Sequence, residues 1–228
     1  MAGSAYPIGN DIAVSVIGMK KFAILVSAAL CAAVFSGGLS SAIQAASGGT
    51  LSVAIKDARG MPLRDAVVMV YPSVGTAGRG FRGSSNIMNQ QDLQFKPGTL
   101  IVAQGDTVSF PNRDRVRHNV YSFSRAAKFK MKLYAKDETR SHRFPVAGSV
   151  ALGCNIHDDM KGYIKVVDTP FAAKTDHNGR LRISGIPAGF ARVKAWHPRN
   201  RTRTGESSYS FPISGSGVTN KTMTLSLR

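Results

Sequence analysis

The chain has 228 residues, with 30 Lys and Arg against 13 Asp and Glu, for a net charge of +17. Its length admits one large or two small domains, and its two cysteines exclude a disulfide framework. So basic a chain would meet nucleic acid first if it stayed in the cytoplasm, so its destination decides what the charge means.

Residues 1–45 read as a secretory signal rather than part of the fold. Met19-Lys20-Lys21 opens an apolar run from Phe22 to Phe35, and small residues follow, with cleavage expected near Ala42, Ala45 or Ala46. A signal of this form points to Met19 as an alternative start, with residues 1–18 as an upstream extension. The run is too short, and too soon broken by Gly37-Gly38, for a membrane span; an uncleaved anchor is the alternative. Export places the protein in a periplasm, where nucleic acid is no partner and the charge meets acidic redox proteins or an anionic membrane surface. Residues 1–46 hold two of the basic residues and one of the acidic ones, so the remainder carries +16. The clusters Arg113, Arg115, Arg117 and Arg199, Arg201, Arg203 read as solvated basic faces. Without the signal one cysteine remains, Cys154, and it has no disulfide partner in its own chain.

From residue 50 the pattern is of short strands. Leu51, Val53 and Ile55 alternate with Ser52, Ala54 and Lys56. Asp57 to Pro62 is turn chemistry, Ala66 to Tyr71 is a strand apolar on both faces, and residues 72–85 are a Gly-, Ser- and Arg-rich loop. No convincing amphipathic helix follows, so the fold class is all-β. Within residues 86–167, Leu93–Val102 reads as strand, turn, strand, and Gly105–Phe110 as a turn into a strand. Gly148–Gly153 runs up to Cys154, and Lys161–Val167 closes the block. Tyr121 and Phe123, beside His118, are expected in the core, and His142 is expected at the surface. The end of the chain alternates Met223, Leu225 and Leu227 with small polar residues, as a last strand.

The chemistry lies in Cys154-Asn155-Ile156-His157-Asp158-Asp159-Met160, with His118 upstream. Two imidazoles and a thiolate make a trigonal plane and a thioether a weak axial bond, which is the ligand set of a mononuclear blue-copper site. Such a site tolerates both oxidation states, as one-electron transfer requires. Zinc fits less well, because a thioether is a poor zinc ligand. A Cys-x-x-Cys-His haem motif is absent, and a dinuclear copper centre needs a second cysteine in the loop. His142, His177 and His197 are too scattered for a catalytic copper, and Met88 and Met131 lack Met160's spacing. No Ser-His-Asp arrangement or phosphate-cradling loop is evident, so no enzyme activity is expected.

The order of motifs across this block resembles the cupredoxins, the family of plastocyanin, pseudoazurin and amicyanin. Phe95-x-Pro97, Gly105-Asp106-Thr107-Val108, Asn112-x-Asp114, His118-Asn119-Val120 and Gly153-Cys154-x2-His157-x2-Met160 follow in sequence. The short Cys-to-Met loop is most similar to that of amicyanin. The resemblance implies a Greek-key β-sandwich holding one type 1 copper on His118, Cys154, His157 and Met160. It also implies a role for Asn119 in tying the two ligand loops together. Asp158 and Asp159 stand where electron-carrying relatives have small or apolar residues, so they are candidates for docking or tuning. The implied partner is a c-type cytochrome or a quinoprotein dehydrogenase.

The flanking segments resemble a carboxypeptidase-regulatory-like (transthyretin-like) module. The residues are Asp57-x2-Gly60-x-Pro62-Leu63-x2-Ala66-x-Val68, then Thr175–Leu181 and Ile186–Phe190. The expected organisation is therefore a signal over 1–45, the first part of a small β-sandwich module and a linker over 46–85, a cupredoxin over 86–167, and the rest of the module over 168–228. The expected function is one-electron transfer. The alternative is a copper carrier, sensor or envelope scaffold.

Overall fold

The alternation after residue 50 builds the first sheet. The computed structural model describes residues 48–74, 80–83 and 85–228, so the signal expected over 1–45 lies outside the described residues. Strand β1, Gly49–Asp57, buries Leu51, Val53 and Ile55 and turns Ser52, Ala54 and Lys56 away from the core. It lies between β13, Arg180–Ile186, which is antiparallel, and β16, Val218–Leu225, which is parallel. A four-stranded sheet faces it, with β2 (Val67–Pro72) between β12 (Phe171–Lys174) and β14 (Gly189–Trp196), and β15 (Glu206–Ile213) at the edge. Their shared core joins Leu51, Val53, Ile55, Val68 and Val70 to Leu181, Ile183, Val193, Met223 and Leu225.

Strand β2 is apolar on both faces because it lies in a middle layer. Val68 and Val70 enter the core just described. Val67 and Met69 point the other way, into a cluster with Trp196 and Val167 on which Tyr71, Ile101 and Tyr163 also pack. Beyond that cluster lies the sandwich made by residues 86–167. Its larger sheet has the order β5 (Thr99–Ala103), β11 (Lys161–Val167), β10 (Gly148–Gly153), β7 (Tyr121–Ser124) and β8 (Ala127–Lys130). Two antiparallel pairs complete it: the hairpin of β3 (Asn89–Gln91) with β4 (Gln94–Lys96), and β6 (Thr107–Pro111) with β9 (Thr139–Arg143). Met88, Phe95, Val102, Phe110, Val120, Phe144, Val150 and Ile164 are among the side chains that fill the interior. Every regular element among the described residues is a strand, and the fold is an all-β Greek-key sandwich.

Two expectations about side chains are corrected. Phe123 is 76% exposed and Tyr121 is only half-buried, so neither is a core residue. His118 and Asn119 are both buried, and from Val120 onward the burial alternates, with Val120 and Ser122 inside, so a period of two sends Tyr121 and Phe123 to the opposite face. His142 is half-buried rather than exposed. It stacks on Phe129 at 4.0 Å and meets Phe144 edge-on, and burial lowers its pKa. The basic stretch before Cys154 thus contains two strands, β8 and β9, whose lysines and arginines point mostly to solvent.

Candidate metal centre

Two loops meet at one end of the sandwich. The first, Asn112 to His118, links β6 to β7. Asn112 is fully buried and organises it: its Oδ1 accepts from the Asp114 amide at 2.9 Å, and its Nδ2 donates to the carbonyls of Val116 (2.9 Å) and Tyr134 (3.2 Å). At the far end His118 is held by a two-bond bridge with Tyr134, N to O 3.1 Å and O to N 2.8 Å. The second loop, Cys154 to Met160, links β10 to β11 and is closed by the Met160 amide donating to the His157 carbonyl at 2.9 Å.

The loops are tied by an asparagine pair. Asn119 Oδ1 accepts from the Asn155 amide at 2.9 Å, and Asn119 Nδ2 donates to Asn155 Oδ1 at 3.0 Å. Asn119 is buried, so these bonds are shielded from competition by water. They fix the residue after His118 to the residue after Cys154.

His118, Cys154 and His157 converge. One donor atom from each lies within 4.8 Å of the others. Cys154 Sγ is 3.7 Å from His118 Nδ1, and the imidazole centroids are 4.9 Å apart. Cys154 is 2% exposed, His118 is fully buried and His157 is half-buried. Met160 is 1% exposed and belongs to the same apolar cluster as Cys154. Asp158 and Asp159 are both exposed at the loop's outer rim, beside an Ile156 that is 49% exposed.

Two features decide what this arrangement can do. His118 Nε2 is 2.8 Å from Asp114 Oδ2. A carboxylate only accepts, so Nε2 carries the proton and the Nδ1 lone pair is directed toward Cys154. The second feature is His157 Nδ1, which is buried and has no hydrogen-bond partner. An imidazole nitrogen left so would cost about 1–3 kcal/mol. A metal ion held by His157 together with Cys154 and His118 would give that nitrogen a partner and remove the cost. The donor set of two imidazoles, one thiolate and a buried thioether nearby suits copper better than hard cations, which seek oxygen.

Asp114 is the functional residue whose role the sequence left unassigned. Its Oδ1 accepts from the Asp92 amide at 2.7 Å and its Oδ2 from the Leu93 amide at 3.1 Å, besides His118. Asp92 and Leu93 both have φ of 55°, and they form the turn between β3 and β4. This left-handed conformation is costly for Leu, and the Asp114 carboxylate holds both of its amides. Burial pushes the Asp114 carboxyl up, but the hydrogen bonds from His118, Leu93 and Asp92 outweigh it and hold it below its usual value. The signal was a carboxylate four residues before a candidate ligand histidine, because ligating histidines commonly donate their other N–H to such a group.

The basic clusters play no part in this centre. Arg113 is exposed and pairs with Asp137 at 3.7 Å, while Arg199 and Arg201 donate to the carbonyls of Arg228 and Leu227.

Residues 83–167 match the family of copper binding proteins described as the plastocyanin/azurin family. That match supports a cupredoxin copper-binding domain over this part of the chain. Among curated proteins none matches. Solved structures similar to this chain include a reduced mutant of amicyanin, 22% identical, covering 44% of this chain and 98% of that one, with a TM-score of 0.35. A Cu(I) form of a second amicyanin mutant is 21% identical over the same shares, also at 0.35. A Cu-containing nitrite reductase from Thermus scotoductus SA-01 is 23% identical, covering 42% of this chain and 25% of that one, with a TM-score of 0.36.

Proposed function

We propose that this chain is an exported blue-copper protein that carries single electrons between periplasmic or membrane redox partners, and that it has no catalytic centre of its own. His118, Cys154, His157 and Met160 hold one type 1 copper. The observation that carries the reading is the convergence of His118, Cys154 and His157, one donor atom of each within 4.8 Å of the others, with His118 oriented by Asp114 and a ring nitrogen of His157 buried and unpartnered.

Copper bound there supplies reversible one-electron chemistry. The residues do the rest by holding still. The Asn119–Asn155 pair keeps the two loops at fixed separation, and the Tyr134 bridge fixes the backbone of His118. Asp114 sets the His118 tautomer. Cys154 and Met160 are shielded from solvent by the sandwich core. A centre that cannot relax pays little reorganisation when its charge changes. The exposed Asp158 and Asp159, beside half-buried His157, stand where they tune the centre or meet a partner. A c-type cytochrome or a quinoprotein dehydrogenase is the class of partner that such a carrier serves.

The test is optical and electron-spin-resonance spectroscopy after one equivalent of Cu(II). An intense thiolate-to-copper band with narrow hyperfine splitting, lost in Cys154→Ser, is the expected result. A pale, ordinary Cu(II) spectrum would sink the carrier and favour a copper-handling or scaffold role.

A further inference from the structure

The outer face of the five-stranded sheet is covered at one end only. There Val167 and Ile101 lie in the cluster with Val67, Met69 and Trp196, and Tyr163 meets Trp196 edge-on at 6.0 Å. Past Tyr163, toward the Cys154 loop, the same face is open. Register decides what it displays, because residues paired across antiparallel strands project to the same side. One row runs Lys130–Tyr121–Gly153–Lys161. The next pairs Lys128 with Phe123, and Ala151 with Tyr163. Each row sets aromatic surface beside lysine. Between the Tyr121–Phe123 pair and Tyr163 stand the small residues Gly153 and Ala151.

The result is a recess of about 360 Å³. Phe123, at 76%, is the most exposed large apolar side chain among the described residues, and its ring lies 5.2 Å from that of Tyr121. Tyr121 lies so close on Gly153 that a Cβ there would come within 2.6 Å of its ring. Gly153 directly precedes Cys154, so the recess abuts the strand that delivers the thiol. Lys128, Lys130 and Lys161 are exposed, and none forms an ion pair among the described residues. An apolar hollow rimmed by free cations is costly to leave bare and is complementary to one kind of surface.

We propose that this recess docks an acidic protein partner, whose carboxylates meet Lys128, Lys130 and Lys161 while an apolar side chain fills the hollow over Tyr121 and Phe123. The chain's charge of +17 draws negative surfaces from a distance. It also opposes a second copy of the chain as the occupant. An anionic membrane fits worse than a protein, because the site is concave and takes a projecting side chain rather than a flat surface. That the partner is a redox protein rests on the carrier reading above; its acidity does not.

The experiment titrates the full chain, metal-free and copper-loaded, with an acidic c-type cytochrome by calorimetry at low and high salt. Both forms should bind. The Lys128→Glu/Lys130→Glu variant should weaken binding about tenfold or more and flatten its salt dependence. Phe123→Ser should weaken it about fivefold with the salt dependence kept. Both positions are exposed, so folding is not at stake. No binding by the unaltered chain, or equal binding by both variants, overturns the proposal. Two other results do so by giving the face another occupant: variant-sensitive binding to phosphatidylglycerol vesicles without cytochrome binding, or self-association abolished by Phe123→Ser. Variant-sensitive binding by a chain that never turns blue leaves the docking face standing and removes the carrier reading.

Discussion

Lys165 and His157 are polar groups flanking the same sheet, and the fold treats them in opposite ways. The Lys165 side chain is 2% exposed, yet its Nζ donates to Ser149 Oγ at 3.0 Å and to Glu206 Oε1 at 2.5 Å, and it lies 5.7 Å from the Trp196 ring. Glu206 Oε2 in turn accepts from Lys194 at 2.9 Å. Each group in this centre is served by the protein itself, and the bonds run from β11 to β14 and β15, across two layers. His157 Nδ1 is buried with nothing to bind. A polar centre closed on itself joins parts of the molecule. One left open, where donor atoms converge, is prepared for something from outside.

Breaking the closed centre should give the largest effect. Burial holds the Lys165 ammonium below its ordinary pKa, and the bond and charge of Glu206 offset that penalty. Glu206→Ala would leave the cation buried and unpaired, and should destabilise the metal-free protein by about 3 kcal/mol in chemical denaturation. Replacing both partners, Lys165→Met with Glu206→Leu, should recover most of the loss, because the desolvation cost goes with the charges. A single variant as costly as expected with a double variant no better would mean that the ion pair itself supplies net stability. Neither change should alter the absorption of the copper-loaded protein.

The open centre is sharpened through its one closed member. Asp114→Asn keeps the size of the side chain but replaces one acceptor oxygen by a donor. Three N–H groups now converge on Asp114, so one of them would face an NH2. Copper affinity should fall about 10- to 100-fold, as with other partners of ligating histidines. The reduction potential should rise, because His118 loses a negative charge that favours Cu(II). An unchanged affinity and potential, measured by competition and voltammetry, would mean that Asp114 serves only the turn at Asp92 and Leu93.

These two centres were unequally legible. The all-β class followed from alternation such as that of Leu51, Val53 and Ile55, which β1 reproduces. His157 and Cys154 are three residues apart in one tight loop, so their meeting is nearly a local property. Asn119 was named from its place after His118, and it does join the two loops. The Lys165–Glu206 pair spans 41 residues and two layers, and no local pattern marks a lysine in a strand for burial. Tyr121 and Phe123 were misplaced because alternation gives a period but not its phase. With hydrophobic residues at 121 and 123 and Ser122 between them, composition voted for the wrong face, and the buried Val120 and Ser122 decided the phase. At these two positions the sheet face is open to solvent, so the usual correlation of apolar with inside fails there.

His197 extends the comparison to a buried imidazole whose polar needs are met. It is 8% exposed, and its Nδ1 accepts from the Arg199 amide at 3.2 Å. Burial, and then the Arg199 charge, lower its pKa to about 4, against a smaller opposing pull from Asp65. The folded state therefore keeps His197 neutral where the unfolded chain, near 6.5, takes up a proton. Its contribution is intact above pH 6.5 and is lost as pH falls toward 4, since over that window the unfolded state binds more protons. The loss should be on the order of 1–2 kcal/mol once solvent screening at its edge is allowed for. His197→Gln should flatten the dependence of the denaturation midpoint between pH 6.5 and 4 in the metal-free protein. A slope equal to that of the unaltered chain would assign the acid sensitivity to other groups, and His197 would then be no more than a packing residue beside Trp196.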